Sequence, residues 1–202
     1  MEDVLLFGGT FNPPHVGHIE IARSVAKKIG IKNIVLIPSG NPPHKMGRDI
    51  ADANHRVNML KLAIKNEKNF KISLIEVVRK GYTYTIDTLI ELKKKYGEEK
   101  RFYYLIGEDV LRNLPTWKDY KDVLLMCKFV VVARSVHTKN LLIKDVQKLT
   151  RKYGLNAVVV DVDCVDVSST KVRELAYRGD DLKGLVSREV LQYIRNNNLY
   201  RK

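Results

Sequence analysis

Two histidines three residues apart, His15 and His18, close the stretch Gly8-Gly9-Thr10-Phe11-Asn12-Pro13-Pro14-His15-Val16-Gly17-His18. The apolar run Val4–Phe7 leads in and a helical pattern leads out. This is the strand-to-helix junction at which α/β proteins place ligands. Gly8 and Gly9 allow backbone to come close to a bulky anion. A helix start offers free N–H groups and positive partial charge, and the histidines add side-chain donors. The stretch therefore reads as a phosphate site. It is not a Walker loop, because no Gly-Lys-Ser/Thr follows, and it is not the dinucleotide G-x-G-x-x-G fingerprint. A second candidate lies far along the chain, in Val167-Ser168-Ser169-Thr170-Lys171-Val172-Arg173. Hydroxyls and bare N–H groups at a helix N-terminus make an anion hole, and Arg173, one turn in, can reach phosphate oxygens with a planar fork.

The elements that must position these residues follow from hydrophobic periodicity. Strands are expected at Val4–Phe7, at Ile34–Ile37 (stopped by Pro38), and at Lys71–Val78, Phe102–Ile106, Phe129–Ala133 and Ala157–Val162. Between them come helices over His18–Ile29, Ala51–Asn66, Thr85–Tyr96, Val110–Leu114, Asp119–Met126 and Leu141–Tyr153. Helices over Lys171–Tyr177 and Ser187–Asn197 close the chain. Short apolar strands alternating with helices mean a parallel sheet covered on both faces. The expected fold is α/β: a Rossmann-like, doubly wound parallel sheet of five to six strands with helices on both faces. Residues 1–202 are read as one domain, with a small helical C-terminal portion, about 168–202, packed on it.

Composition narrows the class. The chain has 202 residues, 45% of them hydrophobic and 29% charged, with a net charge of +13. No stretch approaches the ~20 apolar residues of a membrane span. Glu2 and Asp3 precede only four apolar residues, so a signal peptide is not expected and the cytoplasm is the expected compartment. The positive charge is spread over many helices, with Lys93-Lys94-Lys95 the longest run, and no RNA-binding motif accompanies it. A solvated lysine-rich surface, partly serving to attract a polyanionic substrate, is the favoured reading. Cys127 and Cys164 read as small buried hydrophobes. His44, His55 and His137 receive no catalytic role, and no third ligand accompanies His15 and His18 for a zinc site.

The first stretch matches G-G-T-F-x-P-x-H-x-G-H and resembles the signature of the nucleotidyltransferases that carry an H-x-G-H motif. Residues 167–173 resemble that superfamily's second signature, I-S-S-T-x-I-R. Three inner stretches are similar to the bacterial nicotinate-nucleotide adenylyltransferases: Pro42-Pro43-His44-Lys45, Gly81-Tyr82-Thr83-Tyr84-Thr85-Ile86-Asp87-Thr88, and Gly107-Glu108-Asp109 with Trp117 eight residues on. The resemblance runs from Val4 to Arg173. It implies transfer of the adenylyl group of ATP to nicotinate mononucleotide, giving deamido-NAD and pyrophosphate. It places ATP on Gly8, Gly9, Thr10, Phe11, His15, His18, Gly107, Asp109, Ser168, Ser169, Thr170 and Arg173. It places nicotinate mononucleotide on Lys45, Tyr84, Thr85, Trp117 and Arg134, with Trp117 stacked on the pyridine ring and backbone amides at Tyr84–Thr85 meeting the carboxylate.

Catalysis would rest on His18 at the α-phosphate, with His15 and Lys45 nearby, and on Arg173 with Ser169 and Thr170 at the β- and γ-phosphates. Mg²⁺ would travel with the triphosphate. A phosphate monoester, with a second pKa near ~6, is already an anionic nucleophile at neutral pH. That fits motifs holding no base paired with a nucleophilic Ser or Cys. The chain departs from the family at Ala133-Arg134-Ser135-Val136, where Arg-Pro-Gly is frequent, and at Glu108, where Ala is. An acceptor other than nicotinate mononucleotide, nicotinamide mononucleotide included, stays open from the residues alone. So does a nucleotide- or RNA-binding protein without catalysis. The expected partners are the two substrates, with neither nucleic acid nor membrane, and a homo-oligomer is left open.

Overall fold

In the computed structural model, β1 (Asp3–Gly9), β2 (Asn33–Pro38), β3 (Phe70–Ile72), β4 (Arg101–Ile106), β5 (Lys128–Ala133) and β6 (Ala157–Asp161) form one sheet in the order β3-β2-β1-β4-β5-β6. Every neighbouring pair is parallel. The structure describes residues 2–41, 50–97, 99–133, 136–163 and 165–201, with backbone alone at 136 and 137. The chain winds outward from β1 to β3, then returns to the other side of β1 and winds outward again from β4 to β6. The carboxyl ends of β1 and β4 therefore bound a crevice where the winding reverses, the place such sheets bind ligands.

The strands are short apolar runs because both faces of the sheet are covered. On one face, α1 (Val16–Ile29) lays Ile19, Ala22, Val25 and Ala26 against Leu5, Ile34 and Leu36, and α2 (Ala53–Ala63) adds Leu60. On the other face α4 (Thr85–Tyr96), α5 (Glu108–Asn113), α6 (Tyr120–Met126) and α7 (Val136–Tyr153) cover Leu6, Val35, Phe102, Tyr104, Phe129 and Val131. The 3₁₀ turn Leu114–Thr116 follows α5. The helices α8 (Ser169–Arg178) and α9 (Arg188–Asn196) make a third cluster, in which Val172, Ala176, Val190 and Ile194 pack on Met59 of α2.

Expectation and structure differ at the third strand. Lys71–Val78 does not run as one strand. β3 ends at Ile72 and the one-turn helix α3 (Ile75–Val78) follows. The last sheet bond runs from the Ser73 N–H to the Leu36 carbonyl. Beyond it, helical spacing buries Glu76, which takes a hydrogen bond at 2.8 Å from the Thr88 hydroxyl, and leaves Val78 73% exposed. The expected helix over Ala51–Asn66 starts two residues later, where the Asp52 side chain accepts from the Asn54 N–H at 2.8 Å, and ends at Ala63. As expected, β2 ends at Pro38, opposite Gly9. The ladder continues through the Ser39 N–H to the Gly9 carbonyl. Cys127 is buried and its thiol is pushed up to about 12 by burial, as a small apolar side chain requires. Cys164 lies outside the described residues.

Candidate active site

At the carboxyl end of β1 a cavity of about 250 Å³ is lined by Phe7, Gly8, Gly9, Thr10, Phe11, Asn12, His18, Ile50, Ser169, Thr170 and Arg173. Residues 161 positions apart in sequence thus share one wall-to-wall space. The close approach at Gly8 is enforced: a Cβ there would run into the Tyr104 hydroxyl. At Gly17 a Cβ would lie 2.9 Å from the Val167 side chain and 3.1 Å from the His15 ring, so glycine is what lets the α8 entry close over the start of α1.

The two histidines have different surroundings. His15 precedes α1, is only 8% exposed and does not line the cavity. Burial lowers its imidazole to about 4, so it is neutral near pH 7, and its Nδ1 is buried without a hydrogen-bond partner. Its ring lies against that of His18, with centroids 3.6 Å apart. Its backbone N–H donates to His18 Nδ1 at 3.1 Å. An Nδ1 that accepts leaves the proton of neutral His18 on Nε2, as a donor. Phe11 supports His18 from another side, ring to ring at 5.1 Å. Phe11 itself has a φ of 49° and a fully buried side chain.

The loop between Thr10 and Pro13 is held by its own carbonyls. Arg173 Nη1 donates to the Asn12 carbonyl at 2.8 Å, and the Ser169 hydroxyl donates to the Pro13 carbonyl at 2.9 Å. Arg173 Nη2 also reaches the Thr170 hydroxyl at 3.3 Å. Ser168 does what a helix-start serine ordinarily does: its hydroxyl accepts from the Lys171 N–H at 3.1 Å. So Ser169 and Arg173 anchor the second motif to the first, and both line the cavity together with Thr170.

Arg56, which the sequence reading passed over, is the central strut. It is 1% exposed, and its guanidinium donates to the carbonyls of Ala51 (3.0 Å), Thr10 (2.8 Å) and Gly40 (3.3 Å). Burial lowers its pKa, with Tyr200 and Asp52 acting in the opposite direction. The signal was present in the sequence: Arg56 shares the helix face of Met59, Leu60 and Ala63, and a charge on an apolar face must have buried acceptors.

Across the crevice, Gly107 precedes α5 at the end of β4, and a Cβ on it would meet the Asp109 carboxylate at 2.8 Å. Tyr84 precedes α4 and Thr85 opens it, and the Tyr84 side chain makes no cap hydrogen bond. Trp117 meets Tyr104 edge-on at 6.2 Å, Tyr104 packs under Gly8, and Lys118 sits over the Tyr84 ring at 4.8 Å. Burial pushes the Tyr104 phenol upward and a hydrogen bond with Thr85 opposes this. Tyr84, Thr85 and Trp117 are thereby brought together, but they lie outside the lining of the cavity at β1. Trp117 is half-buried and packs against the sheet cluster, so it is both a core contact and a wall. Lys45 and Arg134 lie outside the described residues.

The sequence model of one protein family, Cytidylyltransferase-like, matches residues 6–175. A protein of Thermoanaerobacter sp. (strain X514) named "Probable nicotinate-nucleotide adenylyltransferase" is 38% identical over 197 residues, covering 98% of this chain and 93% of its own. One from Clostridium tetani with the same name is 36% identical over 201 residues and covers all of both chains. Among solved structures, Plasmodium falciparum nicotinic acid mononucleotide adenylyltransferase complexed with NaAD superposes with a TM-score of 0.77 at 20% identity, covering 99% of this chain and 98% of that one. The same protein complexed with APC gives 0.75 over the same shares. At that identity the likeness carries the fold.

Proposed function

The chain belongs to the cytidylyltransferase-like family and, within it, to the nicotinate-nucleotide adenylyltransferases, and from this premise we propose how its crevice does the chemistry. The reaction is transfer of the adenylyl group of ATP to nicotinate mononucleotide, in NAD biosynthesis. A phosphate oxygen of the mononucleotide forms a bond to the α-phosphorus of ATP. The bond from that phosphorus to the bridging oxygen breaks, and pyrophosphate leaves.

The acceptor phosphate needs no base, since its second pKa is near ~6. Catalysis is then positioning plus neutralisation of charge on the α-phosphate and the leaving group. His18 donates through Nε2 to the α-phosphate. His15 holds His18 in that tautomer and stays neutral behind it. Thr170, Arg173 and the backbone of Gly8–Thr10 take the β- and γ-phosphates at the start of α1. The other crevice wall, Tyr84, Thr85 and Trp117, takes the nicotinate ring and its carboxylate, with Gly107 and Asp109 between the two nucleotides. Lys45 and Arg134 are assigned to the phosphates by the motif resemblance alone. The cavity lining supplies N–H groups, hydroxyls and a guanidinium but no carboxylate, and no cluster among the described residues could hold a metal. Mg²⁺ therefore fits as a companion of the triphosphate, where it would help neutralise the leaving pyrophosphate. We place the protein in the cytoplasm, where both substrates are met. No helix among the described residues is long and apolar enough to cross a membrane.

The observation that carries this reading is the His15 N–H to His18 Nδ1 bond behind a cavity that His18 and Arg173 both line. The test is pyrophosphate release from Mg-ATP with nicotinate mononucleotide, nicotinamide mononucleotide or phosphopantetheine. Preference for the nicotinate acid is expected. Preference for another acceptor would move the substrate assignment, and no release with any would overturn adenylyl transfer.

A further inference from the structure

The carboxyl-terminal segment reaches back 188 residues to the first motif: the Tyr200 hydroxyl donates to Asn12 Oδ1 at 2.8 Å. That oxygen also accepts from the Ala51 N–H at 3.0 Å, so Asn12 is held from two directions while its carbonyl holds Arg173. The connection is built rather than incidental. Tyr200 adopts left-handed backbone, with a φ of 62°, where a bulky residue persists only if surrounding contacts over-determine it. Both arginines that grip the loop, Arg56 and Arg173, lie near enough to act on the Tyr200 phenol electrostatically. Burial outweighs them and pushes the phenol upward. Tyr200 also walls, with Arg173, a second cavity that adjoins the first through Ile50, Thr170 and Arg173.

We infer that Tyr200 is a positioning residue for adenylyl transfer: through Asn12 it sets where Arg173 presents its fork to the triphosphate. The C-terminal tail is thereby part of the nucleotide site rather than a finish to the fold. The inference rests on the adenylyltransferase reading above.

The test uses the full-length protein and steady-state pyrophosphate release. Tyr200→Phe keeps the ring and removes one hydroxyl. It is expected to lower kcat about 3- to 10-fold, the scale of one neutral hydrogen bond. The KM for nicotinate mononucleotide and the thermal midpoint should stay near wild type. Tyr193→Phe is the matched comparison, since its hydroxyl ties α9 to His55 and Asn58 of α2 and not to the loop. It should leave kcat within about 2-fold of wild type, the scale of an ordinary surface substitution. In an Arg173→Lys background, which loses the fork, Tyr200→Phe should cost little further, because the two act in series. A wild-type kcat for Tyr200→Phe overturns the inference. So does an equal loss in Tyr193→Phe, or the same fold-loss with and without Arg173. An inactive wild-type protein instead overturns the reading beneath it.

Discussion

The two banks of the crevice are built on different physics. On the β1 bank, backbone carbonyls of Thr10, Asn12, Pro13 and Gly40 are each taken by a buried or half-buried donor from a distant element: Arg56, Arg173 or Ser169. On the β4 bank, Trp117, Tyr104 and Tyr84 meet through ring edges and a lysine over a ring. Hydrogen bonds to fixed carbonyls are directional and set positions to tenths of an ångström. Ring contacts are tolerant of small shifts. The polar bank therefore suits a step whose rate depends on geometry, and the aromatic bank suits recognition of a flat acceptor.

Four experiments would break or sharpen this contrast. The largest effect is expected from His18→Ala, a loss of roughly 10²–10³ in kcat, the scale of one transition-state donor. Thermal stability should change little. An unchanged kcat would remove His18 from the chemistry and with it the case for the polar bank as catalytic.

Arg56→Met leaves three carbonyls without their donor and should cost about 2–4 kcal/mol in denaturant unfolding. Arg56→Lys should recover little, since an ammonium cannot span three acceptors. Full recovery by lysine would mean charge, not the fork, is what the bank needs.

The third experiment is pH dependence. His15 sits at about 4 when folded against an ordinary 6.5, because burial disfavours its charged form. A lowered folded-state pKa means the unfolded chain binds the proton first as pH falls. The contribution is present above about 6.5 and is lost progressively toward pH 4, by about 3 kcal/mol. Wild type should therefore lose that much more stability than His15→Gln between pH 7 and pH 4. Parallel curves would show that His15 is solvated when folded.

The smallest effect is expected on the aromatic bank. Trp117→Ala should raise the KM for nicotinate mononucleotide roughly 10-fold or somewhat more, from about 1–3 kcal/mol of stacking, with kcat nearly unchanged. A fall in stability alone would make Trp117 a core contact only, and a fall in kcat would erase the division between the banks.

Much of this was legible along the chain. Five of the six strands, the doubly wound parallel order of layers and the two motifs that meet at the cavity follow from local runs: apolar stretches of strand length, helix periodicity, and glycine or hydroxyl residues at helix starts. The third strand is shorter than its apolar run implies because Ile75, Val77 and Val78 are β-branched and apolar, while Glu76 among them is buried and bonded to Thr88 on a different element. His15 and His18 look equivalent in sequence. Their separation into a buried support and a cavity-lining donor depends on which ring faces the core, and that comes from Phe11, Gly17 and Val167 around them.

The sequence by itself determined the α/β class, the two motif stretches that meet at the cavity and the family resemblance, because each is written in residues close together in the chain. Only the tertiary structure decided the couplings across it. Arg56 reaches Thr10 and Gly40, Arg173 reaches Asn12, and Tyr200 reaches Asn12 from the far end. A hydrogen bond between side chain and backbone leaves no periodicity and no spacing rule. It exists only once packing of α2, α8 and the C-terminal tail has brought each donor within hydrogen-bond reach of its acceptor, 2.8–3.3 Å here.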